Sequence, residues 1–448
     1  MVPVSRRCWS TSQHRSQSPS PEEPLILKLP EEILIIILDL AASVDSWTYG
    51  APNYDSGYSY TVLRSLLVVC RRFNRIATPL LYAAICIRAR QPRGAIALHQ
   101  TLGKEPLLRQ YCRSFSIHMN ALQFGRPKKY DTSMATDFAS WLTKVRYLKI
   151  CGGRHDEKIW WFLRDFVQHK GKIEHLCVGM VVAGSYSGTI AEHIDIPSLR
   201  SLALHGVIER KEHHAVLTPE ELRTAPFTSL SLHNFEGMPD TFAKLIEWPK
   251  ELHHLDFRGF ETTRRYIDVC VLYPLFAIHR DTLTSISNAS RYSTQLFNAA
   301  EFPNLRFLRL SRWMMRLNWV DPAADAQVLL APKLEHFGWE FSTPEEPELW
   351  DDFGDDEEFW IREFARAAIA RKVPLKTIEI IFSPDATTMD PEDSVYPWDR
   401  MDDINNVIRL HGVTLVYNEP PITRKDWLNE IRAFERRTMA EAVEGWWP

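Results

Sequence analysis

The stretch PSLRSLALHGV at residues 197–207 decides the fold, because its pattern recurs along the chain. Its apolar residues Leu199, Leu202 and Leu204 occupy relative positions 1, 4 and 6. The same spacing returns in FTSLSLHNF (227–235) as Phe227, Leu230 and Leu232, and in LHHLDFRGF (252–260) as Leu252, Leu255 and Phe257. Apolar residues two apart, with polar residues between them, mark a short strand with one buried face.

Outward from this stretch the pattern continues. Upstream lie Val145-Leu148-Ile150 and Ile173-Leu176-Val178. Downstream lie Leu305-Leu308-Leu310, Leu334-Phe337-Trp339 and Leu375-Ile378-Ile380. Weaker copies are Tyr82-Ile85-Ile87, Cys112-Phe115-Ile117, Leu283-Ile286 and Leu410-Val413-Leu415. From Leu148 to Phe337 the position-4 residues are separated by 28, 26, 28, 25, 31, 22 and 29 residues. One match to so loose a pattern means little, but a run near one period means a repeat array.

Between the strands the apolar spacing changes to that of a helix. Ile159, Phe162, Leu163 and Phe166 share one helical face, with Gly171 placed to end it. Asp240 is placed to cap a helix carrying Phe242, Leu245 and Ile246, and Trp360, Phe364, Ala367 and Ala368 form another face. One short strand, a turn and one helix per repeat resembles a leucine-rich repeat. The resemblance implies an α/β solenoid over residues 83–423, with short parallel strands on the concave face and helices outside. The ninth position, often Asn in that family, holds Gly153, Val181, Val207, Phe235, Phe260 and Trp313, so the curvature is expected to be irregular. The last intervals contain insertions. One of them, 345–358, has nine carboxylates in fourteen residues and reads as a solvated loop, or more sharply as a docking patch for a basic partner. Residues 424–448 begin with a helix placing Trp427, Ile431 and Phe434 on one face, a cap for the solenoid's open end.

Ahead of the repeats, residues 27–82 form a different segment. In LKLPEEILIIILDLAAS, Pro30 suits a first helical turn and Glu31 and Glu32 suit the positive end of the dipole. The apolar stripe that follows is broad enough to face both a core and a partner. A second apolar segment, 63–77, precedes Thr78-Pro79, which is expected to stop a helix there. Leu29, Pro30, Glu32, Ile33, Leu34, Ile37 and Leu38, with Val69, Cys70, Arg71 and Phe73, resemble the two signatures of an F-box. They stand about forty residues apart, some ten more than the family usually has, which marks 44–61 as an insertion.

An F-box followed by leucine-rich repeats resembles the substrate receptor of an SCF-type, cullin–RING ubiquitin ligase. The resemblance implies a non-catalytic subunit whose F-box binds a Skp-type adaptor on a cullin scaffold while the repeats hold a protein substrate. The adaptor-binding residues it implies are Leu29, Pro30, Ile33, Leu34, Ile37, Val69, Cys70 and Phe73. It also implies a cytoplasmic or nuclear setting. The plainer alternative is a repeat scaffold without a ligase role.

Composition fits a folded chain of 448 residues with a net charge of −4, which gives no electrostatic argument for nucleic acid or anionic membrane. The longest apolar run, 269–278, is half the length a membrane helix needs and contains Pro274. The first 21 residues, free of acids and rich in serine and proline, read as a disordered tail extending to 26 and not as an amphipathic presequence. Seven scattered cysteines include no CxxC pair, and no cofactor or metal signature is present. GSYSG at 184–188 carries Tyr186 where a nucleophile elbow needs serine. Cys151, His155 and Asp156 are close in sequence, but catalytic triads usually assemble from distant segments, so a binding protein is expected and not an enzyme. His213-His214 and His253-His254 are poor metal pairs, since strand neighbours point to opposite faces.

Positions 3, 5 and 7 of each repeat are expected on the concave face. They are Tyr147, Lys149, His175, His205, His233, His254, Asp256, Arg258, Phe307, Arg309, His336 and Glu340. As a substrate surface this column is expected to meet acidic or phosphorylated residues with Arg258 and Arg309. Its imidazoles are expected to gain charge, and so tighten that binding, between about pH 7.5 and 6.

Overall fold

The structure is a computed structural model. It describes residues 24–42, 60–87, 92–118, 132–151, 157–169, 172–179, 182–183, 190–206, 208–209, 217–236, 239–262, 265–266, 269–289, 295–315, 321–341, 353–382, 395–429, 432–433 and 436. The chain divides into a small helical unit, drawn from residues 1–43 and 58–81, and a larger α/β unit comprising the rest.

In the helical unit, α1 (Glu31–Ala42) packs on α3 (Arg71–Ala83) through Leu34, Leu38, Phe73 and Ile76. Helix α2 (Tyr60–Leu67) adds Leu63 against Ala42 and Ala77. The Arg72 guanidinium donates to the Leu27 carbonyl and, at 2.6 Å, to the Leu29 carbonyl. This ties the turn before α1 to α3. The apolar stretch 63–77 is divided at 68–70 between two helices. One expectation changes here: Pro79 lies inside α3 without stopping it. An internal proline costs about 3 kcal/mol. Leu80 and Leu81, packed against the core beyond it, supply the opposing burial. The expected insertion falls almost wholly at 43–59, outside the described residues.

The larger unit is built on twelve strands in one parallel ladder whose spatial order follows the chain. They are β1 (Ala84–Ile87), β2 (Ser114–His118), β3 (Tyr147–Cys151), β4 (His175–Gly179), β5 (Ser201–His205) and β6 (Ser229–Glu236). The series continues with β7 (His254–Thr262), β8 (Ser285–Ala289), β9 (Phe307–Ser311), β10 (His336–Glu340), β11 (Thr377–Ile381) and β12 (Thr414–Tyr417). A parallel neighbour requires a crossover, and each interval supplies one of helix, 3-10 turn or both.

Position 4 of the repeat is in register along the ladder: Ile85, Phe115, Leu148, Leu176, Leu202, Leu230, Leu255, Ile286, Leu308, Phe337, Ile378 and Leu415. These side chains are buried, and with position 6 and the helical faces they form one hydrophobic cluster running from Ile85 to Trp427. The last copy corrects the sequence reading. Leu415, and not Val413, stands opposite Ile378, while Leu410 is 84% exposed in the preceding 3-10 turn. A slip of two preserves the alternation of a strand, so the apolar pattern alone did not reveal it.

Each strand is also aligned at its start. The Arg113 carbonyl accepts from the Arg146 and Tyr147 N–H groups, the Arg146 carbonyl from Glu174 and His175, and the Glu174 carbonyl from Arg200 and Ser201. The same bifurcated pair recurs from Arg306 to Glu335 and His336. Position 2 of every repeat is thereby stacked in a row beside the sheet.

Of the helices anticipated, Glu157–Gln168 buries Ile159, Phe162, Leu163 and Phe166, and Pro239–Glu247 buries Phe242, Leu245 and Ile246. The acidic segment is not all loop, because Asp355 begins a helix running to Ala370. Glu357 holds Arg312 at 2.7 Å and Glu358 holds the buried Arg400 at 2.7 Å, so these carboxylates are spent inside the fold. Residues 424–429 are helical and Trp427 is buried, whereas Ile431 and Phe434 lie outside the described residues. Among the described residues, no helix is long and apolar enough to cross a membrane.

Candidate functional sites

The first candidate is the surface of the helical unit. Helix α1 is apolar almost all round. Leu34 and Leu38 fill its core, and the remaining large side chains point outward: Ile33, Ile35, Ile36 at 54% and Leu40 at 68% exposed. Ile33, Ile36 and Leu40 follow i, i+3 and i+7, a second apolar stripe on the same helix. The break between α2 and α3 presents Val68 and Val69, 85% and 60% exposed.

The residues singled out from sequence separate into two groups here. Pro30, Ile33 and Val69 are exposed, and Leu29, Ile37 and Cys70 are half-buried. Leu34 and Phe73 are buried in the unit's own core and so shape the surface without being part of it. Ile36, Leu40 and Val68 escaped the sequence reading, although the unbroken run LIIIL at 34–38 already exceeds what one buried stripe requires.

The second candidate is the face of the ladder opposite the helices. Positions 3, 5 and 7 do point there, and the register brings the named residues together. Tyr147 and His175 are cross-strand neighbours whose rings are parallel within 1° at 4.1 Å. Phe307 and His336 repeat this at 4.7 Å, and His205 meets His233 at 4.4 Å between centroids. His254, the position-3 neighbour of Ser229 on β6, is the exposed histidine of the set.

On β6 to β11 the face is a closed set of charge pairs. His233 donates from Nε2 to the Asp256 carboxylate at 3.0 Å. Arg258 lies 3.5 Å from Asp256 and donates to Glu340 at 3.2 Å. Arg309 donates to Glu379 at 2.6 Å, and His336 reaches the same carboxylate at 3.0 Å. Burial would raise the Asp256 carboxyl, but the His233 hydrogen bond and the Arg258 charge draw it down to about 2. Glu379 is likewise brought to about 2 against its burial by His336 and Arg309. Glu340 goes the other way, because burial outweighs the attraction of Arg258 and Arg309.

This arrangement bears on two expectations. Arg258 and Arg309 were expected to face an acidic partner, yet both are committed to internal carboxylates. Sequence identifies which residues share a face but not which of them reach each other across strands. Glu379, the centre of one pair, was missed although it occupies position 5 of its repeat. The pH dependence changes too. Burial lowers His205 to about 4 and also lowers His175 and His254, which opposes the gain of charge expected of these rings.

Among the described residues, no group of three or more His, Cys, Asp or Glu is placed to hold a metal ion. His155 and Asp156, GSYSG and His213-His214 lie outside the described residues. The chain matches no protein-family model and no curated protein sequence.

Proposed function

We propose that the chain is a substrate receptor of an SCF-type ubiquitin ligase, with residues 27–82 acting as an F-box and the strand ladder as leucine-rich repeats. The observation that carries this reading is the second apolar stripe of α1. A three-helix unit that has already filled its core has no internal use for exposed Ile33, Ile36 and Leu40, with Val68 and Val69 beside the α2–α3 break. Apolar groups of this kind become hot spots when a partner buries them. The signature Val69-Cys70-Arg71 with Phe73 supports a Skp-type adaptor as that partner.

In this role the chain performs no bond-making step. It holds a substrate on the sheet and an adaptor on α1, and proximity to the conjugating enzyme supplies the rate. Cytosol or nucleus is the compartment such a receptor works in. Co-purification tests the proposal: the full chain should bring down a Skp-type adaptor and a cullin from a eukaryotic extract, and Ile36→Asp with Val68→Asp should bring down neither. A wild-type chain that captures no adaptor leaves a repeat scaffold as the reading.

A further inference from the structure

The charged residues of the ladder are distributed unevenly. On β7 to β11 two position-2 cations share one carboxylate, since Glu335 meets Arg306 at 3.5 Å and Lys376 at 2.6 Å. The face inside it holds the opposite excess, Asp256, Glu340 and Glu379 against Arg258 and Arg309, so the rows together are balanced and each of these arginines is committed to a carboxylate. On β2 to β5 the same rows are different. Positions 2, 3, 5 and 7 there hold Arg113, Arg146, Lys149 and Arg200 against one carboxylate, Glu174. Arg113, Arg146 and Arg200 are exposed, and Glu174 approaches Arg146 at 3.6 Å. A chain with a net charge of −4 has concentrated positive charge on four adjacent strands.

These cations border a shaped surface. The stacked pair Tyr147 and His175 stands on the face with Tyr147 42% exposed. Beside it Ser114, Lys149, Cys177, Ser201 and Ala203 line a shallow hollow floored by small side chains. Burial lowers His175, and lowers His205 to about 4, so the arginines are the cations of this surface.

We propose that β2 to β5 bind an acidic peptide segment carrying an aromatic residue. Its carboxylates meet Arg113, Arg146 and Arg200, and its ring lies on Tyr147 at the edge of the hollow. Arginine forks suit carboxylates, and a rigid stacked ring offers contact area at little entropic cost. A nucleic acid fits less well, because four cations give a short footprint and the rest of the chain repels a long polyanion. The proposal rests on the receptor reading only for the statement that the segment belongs to a substrate protein. Its chemistry comes from the rows themselves.

The test is fluorescence anisotropy of the full chain with a labelled glutamate–tyrosine peptide, a lysine–tyrosine peptide and a single-stranded oligonucleotide. The acidic peptide should bind saturably and weaken as salt rises, and the basic one should not bind. Arg146→Glu with Arg200→Glu should weaken the acidic peptide at least about tenfold, roughly 1.4 kcal/mol. Tyr147→Ala should weaken it too, and Arg306→Gln on the balanced half should change nothing. Circular dichroism of each variant separates lost binding from lost folding. No saturable binding, an unaffected double reversal in a folded chain, or tighter binding of the oligonucleotide would overturn the proposal. Adaptor capture by the same preparations reports separately: its loss with peptide binding intact sinks the receptor reading and leaves this site standing.

Discussion

Arg258 and Glu340 are 82 residues apart in sequence and 3.2 Å apart in space, joined across two intervening strands of the ladder. The register explains how this is possible. Arg258 stands beside Ala289 and Glu340 beside Ser311, so position 7 on the strands between them carries only small residues. The arginine lies over that gap. Its partner is almost entirely buried, which makes the pair sensitive to loss of either member.

Glu340→Ala should therefore destabilise the fold, by up to about 3 kcal/mol, because it removes the hydrogen-bonded carboxylate of a mostly buried guanidinium and leaves it only the longer contact to Asp256. Arg258→Met combined with Glu340→Leu should recover most of that loss. Urea denaturation of the three variants checks this, and equal destabilisation of single and double replacements would show that the pair is not coupled.

Gly338 has the corresponding role for Arg309. A Cβ at Gly338 would come within 3.0 Å of the Arg309 Cγ and 3.1 Å of its Nε, on the path Arg309 takes to Glu379. Gly338→Ala should cost about 1 to 3 kcal/mol by displacing that side chain. In an Arg309→Ala background the same substitution should cost much less, which thermal denaturation of the four-member cycle will read.

Acid should unfold the chain partly through two carboxyls. Asp256 and Glu379 sit at about 2 when folded, below the roughly 4 of an unfolded carboxyl. A depressed acid contributes stability that is present above its unfolded value and lost as pH falls through its folded one. Stability should accordingly drop between about pH 4 and 2, while Glu340, whose pKa is raised, acts in the opposite sense and only above its unfolded value. Asp256→Asn with Glu379→Gln should flatten that stretch of the pH profile, and an unchanged slope would show that other groups set it.

The repeats should unfold together. Leu202 and Leu230 are cross-strand neighbours, fully buried in the cluster that joins Ile85 to Trp427. Either leucine replaced by alanine should cost about 2 to 5 kcal/mol. Each should shift one transition in denaturant and not create a second, because a repeat buries its apolar face only on its neighbours. Stable fragments split near residue 220 would contradict this.

The ladder was legible because its signal is redundant. An error at one repeat is outvoted by the rest, and the two-residue slip at Leu415 altered no neighbouring assignment. The helical unit was legible in its core and less so in its breaks, since Pro79 obeys tertiary burial over local preference. The sheet face opposite the helices was half legible. Spacing placed Tyr147, His175, Arg258 and Arg309 on one side of the sheet, but strand-to-strand reach decided that the last two are occupied. The basic row of Arg113, Arg146 and Arg200 lies at position 2, which no strand periodicity highlights, and only the stacked carbonyl ladder brings it together.

The account stands most directly on the exposed stripe of α1. Isothermal titration of the full chain with a purified Skp-type adaptor should give saturable binding. Ile36→Asp with Val69→Asp, both at exposed positions, should abolish it while leaving the melting temperature of the repeats unchanged. No heat from the wild-type chain, or the same affinity in the double variant, would contradict the proposal that this chain is a ligase receptor.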